Sequence, residues 1–309
     1  MRRISNHERP RRSCVTTIGN FDGVHLGHQK LLAKSQEIAA RLDLDMVVMT
    51  FDPHPLTVLR PGNEPYLLTP LNLKLDYLSQ FGVPWVEVVP FTMDTAAIPP
   101  LAFLEIYLAQ RLPTAAVVVG YNFTFGAGGV GTPQTIQQWG RKRQVHVDVV
   151  EPVRTDTEDL VVSSSAIREA IRVGRIDVAR GLLGHSFTVQ GEMVTGDGRG
   201  RRMGVPTANL LAPPQQLMPP FGVYAGILVT SEGRHHAVAN WGIRPTFGGS
   251  DPVLEIHVLE TGDWNLTGWL QFEFIQHLRP ERKFDTSAQL YEQIGRDRDQ
   301  AAKELRGLS

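Results

Sequence analysis

The stretch TIGNFDGVHLGHQKLLA, Thr17 to Ala33, carries two histidines, His25 and His28, three positions apart with Gly27 between them. What flanks it decides the fold. The run "CVTTIG", from Cys14, has the length and β-branched content of a buried strand, and Leu31, Leu32, Ile38, Ala39 and Leu42 then recur at helical spacing. A loop between strand and helix puts residues 20–28 at the carboxyl end of a strand, where ligands bind in open α/β sheets. Gly23 and Gly27 let the backbone approach a ligand closely, and the start of a helix offers unpaired N–H groups to phosphate. In that setting His25 and His28 are placed to donate hydrogen bonds to the phosphates of a nucleotide. The same two residues would also serve as a helix cap or as half-buried core histidines. A metal site is less suited, because no third ligand lies nearby with the right spacing.

Outward from this junction the first half keeps alternating short apolar runs with amphipathic segments, the pattern of a parallel sheet covered by helices. The further strand candidates are "DMVVMTF", "WVEVVPF", "AAVVVG" and "VHVDVV". After His185 the period becomes two: Leu270, Phe272 and Phe274 alternate with Gln271 and Glu273, and Leu254, Ile256 and Val258 with Glu255 and His257. Only Thr286 to Leu305 reads as a long helix in this half. The expected architecture is a Rossmann-like α/β domain over residues 1–184, then a mainly antiparallel β-barrel with a C-terminal helix over residues 185–309.

Composition narrows the partners. The chain has 309 residues and a formal net charge of -1, so no global field recruits nucleic acid or an anionic membrane. The basic start "MRRISNHERPRR" is not followed by an apolar signal segment, and no run is long enough to span a bilayer, so the cytoplasm is the expected location. The single cysteine, Cys14, has no intramolecular disulfide partner and reads as a small buried apolar group.

Three other stretches carry chemistry. "GYNFTFGAGGVG" follows a strand with Asn122, Phe123, Phe125 and Gly126, a glycine-rich loop suited to an aromatic ring and to phosphate. "SSSAIREAI" starts a helix with Ser163, Ser164 and Ser165 and sets Arg168 one turn in. "GEMVTGDGRGRRMGVPTANL" contains a glycine-rich turn with Gly196 and Gly204, then Thr207 and Asn209, which point the same way in an extended chain. Hard oxygen donors of that kind suit Mg²⁺ bridged to nucleotide phosphates. The bland readings of these stretches are a glycine loop, a capped helix and an exposed hairpin. The P-loop and protein-kinase motifs are absent from the sequence.

Taken together, "GNFDGVHLGH", "TFDPHP" from Thr50, "GYNFTFGAGGVG" and "SSSAIRE" resemble the amino-terminal nucleotidyltransferase module of the bacterial bifunctional riboflavin kinase/FAD synthetases. The PTAN run, "GVYAG" from Gly222, "NWGIRPTFGG" from Asn240, "LEIHVLE" from Leu254 and "LRPERKFDTSAQL" from Leu278 resemble the kinase module of the same family, in the same order. The sequence differs from the family pattern at Trp241 and at Asn265-Leu266-Thr267-Gly268. The resemblance implies two reactions: riboflavin and ATP give FMN, and FMN with a second ATP gives FAD and pyrophosphate.

It also implies roles. His25, His28 and Arg168 would act on the phosphates and the departing pyrophosphate of adenylyl transfer, with Gly19, Phe21, Asp22, Gly27, Asn122, Ser164 and Ser165 around ATP. Asp52, His54, Phe123 and Phe125 would face the flavin. In the kinase half Gly196, Gly204, Thr207 and Asn209 would hold ATP, with Thr207 and Asn209 on Mg²⁺, and Glu255 would be the base for the riboflavin hydroxyl. Flavins are then substrates and products, and no nucleic-acid or membrane partner is implied. The competing expectations are a flavin-binding regulatory protein without turnover and a nucleotidyltransferase for another acceptor.

Overall fold

The apolar runs of the first half are too short for helices and too uniformly apolar to leave a face in water, so they pair as parallel strands buried on both sides. A computed structural model of the chain describes residues 1–5, 8–62, 66–155, 159–194, 207–243, 252–260 and 268–308, the side chains of Thr207 and Ser287 excepted. It divides into two compact units, residues 1–66 with 70–163 and residues 67–69 with 164–309.

In the first unit the strands are β1 (Arg2–Arg3), β2 (Cys14–Ile18), β3 (Asp45–Asp52), β4 (Trp85–Pro90), β5 (Thr114–Gly120) and β6 (His146–Val150), in the order β1-β4-β3-β2-β5-β6. Every pairing among them is parallel. The helices are α1 (Leu26–Leu42), α2 (Pro55–Leu59), α3 (Leu71–Gln80), α4 (Met93–Ala96), α5 (Pro100–Leu104, continued by a π-helical stretch Glu105–Arg111) and α6 (Pro133–Arg143). Alternate strand residues serve two cores. Val15, Val48, Val86 and Val118 pack with Leu32 and Ile38 of α1 and Leu78 of α3. Cys14, Val47 and Val117 pack on the other face with Phe103, Leu108, Ile136 and Trp139. Each fully buried aliphatic side chain of this kind stabilises the fold by roughly 1.5–3 kcal/mol. Cys14 is fully buried as a free thiol between the hydroxyls of Thr16 and Thr114, at 3.5 and 3.9 Å, and burial pushes its pKa up. Strand β1 is the addition to the sequence reading, since two arginines on a basic leader give no strand pattern; Arg2 and Arg3 pair with Trp85 and Val86.

The order of the sheet has a functional consequence. From β2 the chain winds outward through β3 and β4 on one side, and through β5 and β6 on the other. The loops leaving β2 and β5 therefore diverge from neighbouring strand ends, which is the topological switch point where a crevice opens.

The second unit starts with α7 (Ser164–Arg172) and α8 (Ile176–Leu183), followed by β7 (Phe187–Val194), β8 (Thr207–Leu211), β9 (Gly222–Thr230), β10 (Gly233–Ile243), β11 (Pro252–Val258), β12 (Trp269–Pro280) and α9 (Ser287–Glu304). The strands form a closed antiparallel barrel in the order β10-β11-β8-β7-β12-β9. Its interior is aromatic: Phe274 makes edge contacts with Tyr224 at 5.1 Å and Phe272 at 4.9 Å. Gly226 is required by this filling, because a Cβ there would stand 2.3 Å from the Phe272 ring. On the outside Val223, Ala225, Ile227, Val238 and Ile275 pack with Ala301 of α9 and with Leu305 just beyond it. Arg279 fastens α9 by donating to both oxygens of the buried Asp297 at 2.8–3.1 Å, with Gln293 donating to the same carboxylate at 2.8 Å.

Candidate active sites

The loop between β2 and α1 owes its shape to backbone conformations that side chains resist. Phe21 and Val24 have φ of 49° and 37°, and Gly23 has φ of 85°. A β-branched residue in the left-handed region costs of order 1–3 kcal/mol and persists only where surrounding packing enforces it. Here both side chains are fully buried in the core beside α1 and α3, so packing supplies that enforcement. The result is a turn that swings His25 onto the start of α1.

His25 is the N-cap of α1, and its Nδ1 accepts a hydrogen bond from the His28 N–H at 3.3 Å. That bond leaves the proton of the neutral ring on Nε2, a donor. The two rings stack with centroids 3.7 Å apart and 17° between planes. Phe21 lies against His28 at 5.0 Å. Gly27 is what lets the stack form: a Cβ there would meet Cε1 and Nδ1 of His25 at 3.0 and 3.1 Å. Burial, then the neighbouring His25 and Lys74, hold the His28 pKa well below the usual imidazole value, and its Nδ1 is buried with no hydrogen-bond partner. A stacked pair of imidazoles at a helix start, with His28 resisting protonation, is equipped to donate hydrogen bonds to an anion.

Under this loop lies a group the sequence reading did not single out. Lys74 on α3 is 4% exposed, and its Nζ donates to Thr50 Oγ1 at 3.4 Å. Thr50 in turn donates to the Asn20 carbonyl at 3.1 Å. Burial lowers the Lys74 pKa, and the charges of Asp22 and Asp52 oppose that shift. Asp22 is itself buried, at 1% exposure. A signal was present: Lys74 occupies the stripe shared by Leu71, Leu75 and Leu78 on an otherwise ordinary amphipathic helix.

The remaining positions expected in adenylyl transfer separate into groups. Gly19, Phe21, Asp22, Gly27, His25 and His28 share the β2–α1 junction. Asp52 ends β3, and His54 caps α2 by accepting the Leu56 N–H on Nδ1 at 3.2 Å. Asn122 lies in the exposed turn after β5, while Phe123 and Phe125 stack at 5.6 Å, with Phe125 buried against Phe103. Ser164, Ser165 and Arg168 stand on α7, which belongs to the second compact unit. Arg168 is buried there.

In the barrel, the strand register assembles the second site. Asn209 of β8 stands opposite Glu255 of β11, and Glu255 opposite Asn240 of β10. Thr207 pairs with His257 one pleat along. Leu254, Ile256, Ala208 and Leu210 are fully buried in the interior, so Asn209, Glu255, Asn240 and His257 project from the outer face. Asn209 is 3% exposed, and its Oδ1 is buried with no hydrogen-bond partner. Glu255 Oε1 lies 3.8 Å from His257 Nε2. An orphaned amide oxygen beside a carboxylate is a hard donor set, which fits Mg²⁺ carried on nucleotide phosphates. Among the described residues no cluster of three His, Cys, Asp or Glu side chains is disposed to hold a metal by itself. Gly196 and Gly204 lie outside the described residues.

The comparisons with known proteins divide the chain in the same sense. The FAD synthetase family model matches residues 7–166 and the riboflavin kinase family model residues 183–305. The bifunctional riboflavin kinase/FMN adenylyltransferase of Escherichia coli K12 is 36% identical, over 97% of this chain and 95% of its own. The protein of the same name from Bacillus subtilis 168 is 34% identical, over 95% of this chain and 93% of its own. A crystal structure from Streptococcus pneumoniae described as a macrolide-efflux protein superposes with a TM-score of 0.85 at 27% identity, covering 97% of this chain and 98% of that one. Among the described residues no helix is long and apolar enough to cross a membrane. With both family models matched in series, and with relatives of one name at 34% and 36% identity over nearly the whole length, the chain belongs to the bifunctional riboflavin kinase/FMN adenylyltransferase family.

Proposed function

We propose that the chain phosphorylates riboflavin with ATP to FMN and ADP, and adenylylates FMN with a second ATP to FAD and pyrophosphate. The first reaction is assigned to residues 185–309 and the second to residues 1–184. The observation that carries this reading is the presence, in one chain, of a histidine pair at the switch point of a parallel sheet and an Asn209–Glu255 pair on a barrel, each within the segment matched by the corresponding family model.

In adenylyl transfer an ionised phosphate oxygen of FMN attacks the α-phosphorus of ATP, and pyrophosphate leaves. No base is required, so the protein's task is alignment and charge stabilisation. His25 and His28 donate hydrogen bonds to the phosphates, and the neutral state of His28 makes it a donor that keeps its proton. Asp22 and the Gly19–Gly27 loop shape the ATP site, and Asn122 orients the phosphates. Arg168, with Ser164 and Ser165, balances the charge on the departing pyrophosphate. Asp52, His54, Phe123 and Phe125 are assigned to the flavin.

The kinase step differs because the nucleophile is a neutral alcohol, whose pKa lies near that of water, about 15. Glu255 accepts its proton as the γ-phosphoryl group transfers and ADP departs. Thr207 and Asn209 are the residues that would hold Mg²⁺; bound there, the ion would screen the charge of the ATP phosphates. The orphaned Oδ1 of Asn209 supports that role.

The test is incubation of purified protein with riboflavin, ATP and Mg²⁺, resolving riboflavin, FMN and FAD over time. FMN followed by FAD is the expected result. FMN alone would remove the adenylyl acceptor from the reading. If neither flavin product forms, and supplied FMN yields no FAD from folded protein, the enzymatic reading falls.

A further inference from the structure

We propose that Lys74 is a positioning residue for adenylyl transfer: its ammonium, through Thr50, holds the β2–α1 loop in the conformation that presents His25 and His28, and it is the counter-charge for Asp22. The proposal rests on the adenylyl-transfer reading of that loop.

A lysine is almost never fully buried unless it is paired, because its flexible stem ordinarily carries the charge out to water. Lys74 stays inside, at 4% exposure, on a helix whose neighbouring residues Leu73, Tyr77 and Leu78 are also buried. Its partners lie on two other elements, β3 through Thr50 and the β2–α1 loop through Asp22. The path from Nζ to Thr50 Oγ1 to the Asn20 carbonyl ends one residue before Phe21, where the left-handed backbone starts. Two hydrogen bonds therefore tie the ammonium to the strained part of the loop.

The electrostatics agree with the geometry. Asp22 and Asp52 are the anions that favour the charged form of Lys74. His25 and Lys74 are the groups that, after burial, resist protonation of His28. Loop shape and part of the resistance of His28 to protonation thus involve the same ammonium.

The experiment uses the full chain and two substitutions, Lys74→Met, which keeps the stem and removes the charge, and Thr50→Val, which keeps the shape and breaks the bridge. Three readouts are taken: kcat and KM for FAD formation from FMN, the riboflavin kinase rate as an internal control for folding, and the His28 ring titration by NMR. Lys74→Met is expected to lower kcat for FAD formation about 10²-fold, the effect of a misplacement of about 1 Å at a reacting group. The KM for ATP should change far less, the kinase rate should hold, and the His28 midpoint should move up. Thr50→Val should lower the same kcat while leaving the His28 midpoint in place. A wild-type kcat with an unmoved His28 midpoint in Lys74→Met would overturn the proposal. If Lys74→Met does not fold, a wild-type kcat in Thr50→Val overturns it instead. Should the wild-type protein itself make no FAD, the functional reading fails first, and the His28 midpoint alone decides whether Lys74 acts on the loop.

Discussion

Replacing Gly27 by alanine separates catalysis from stability in a way the structure lets one calculate. The added Cβ would stand 3.0 Å from Cε1 and 3.1 Å from Nδ1 of His25, against an ordinary carbon contact of about 3.5–4.0 Å. The ring must retreat by a few tenths of an ångström. Its cap on α1 is already long, at 3.3 Å from the His28 nitrogen, so that retreat loses a bond at the margin of hydrogen-bonding range. Loss of an N-cap costs about 1 kcal/mol, while alanine for glycine inside a helix returns up to about 1 kcal/mol. The two nearly cancel, and Gly27→Ala should unfold within about 1 kcal/mol of wild type in urea. Function does not share in the cancellation. The His25 ring shifts on its stack with His28, and a displacement of that order at phosphate-binding groups lowers the rate of FAD formation by tenfold to about a hundredfold. The assay is FAD appearance from FMN and ATP, with FMN formation from riboflavin as control. A rate within twofold of wild type would show that the geometry of the stack does not matter to the reaction.

Further outcomes follow from the other groups. His28→Ala should abolish FAD formation and leave the kinase rate intact; near-normal adenylyl transfer would refute the role of His28. Glu255→Gln should cut FMN formation by about 10²–10⁴ while FAD formation from supplied FMN continues, since general-base help is of that size; an unaffected kinase rate would remove Glu255 as the base. The depressed pKa of His28 also links folding to pH. The unfolded ring takes a proton below about 6.5 and the folded one resists it, so stability is full above that value and declines as pH falls towards the folded pKa. The slope is at most about 1.4 kcal/mol per pH unit, measured by urea unfolding between pH 7.5 and 5, and the part of it due to this ring should vanish in His28→Ala.

The pattern of apolar residues made most of this fold legible. "CVTTIG", "DMVVMTF", "WVEVVPF", "AAVVVG" and "VHVDVV" become β2 to β6, and the period-two runs around Glu255 and Phe272 become β11 and β12 of the barrel. These are elements whose burial alone dictates their conformation. Strand β1 was hidden because Arg2 and Arg3 have no apolar periodicity, and their pairing is supplied by the free side of β4. The turn at Phe21 and Val24 was equally invisible, since neither residue type favours a positive φ and only tertiary packing holds them there. Lys74 was legible in principle, as a cation on an apolar stripe, but its partners Thr50 and Asp22 are distant in sequence and no local pattern joins them. Asn209 and Glu255 were assigned separate roles from a resemblance; that they are cross-strand neighbours is a fact of register.

That register has a consequence for how the barrel tolerates change. Because the side-chain period of a strand is two, inward and outward positions are addressed by parity, and a slip of one residue exchanges them all. Sliding β11 by one position would drive Glu255 and His257 among Tyr224, Phe272 and Phe274, and would turn Leu254 and Ile256 out to water. The barrel's greasy interior thus acts as a proofreader for its chemical exterior: any slip by an odd number of residues also buries a charge and is rejected on folding grounds. Volume-conserving changes at the even-numbered positions of β11 should consequently be open to selection or engineering without disturbing Glu255, whereas a single-residue insertion in the strand should cost the fold and the reaction together.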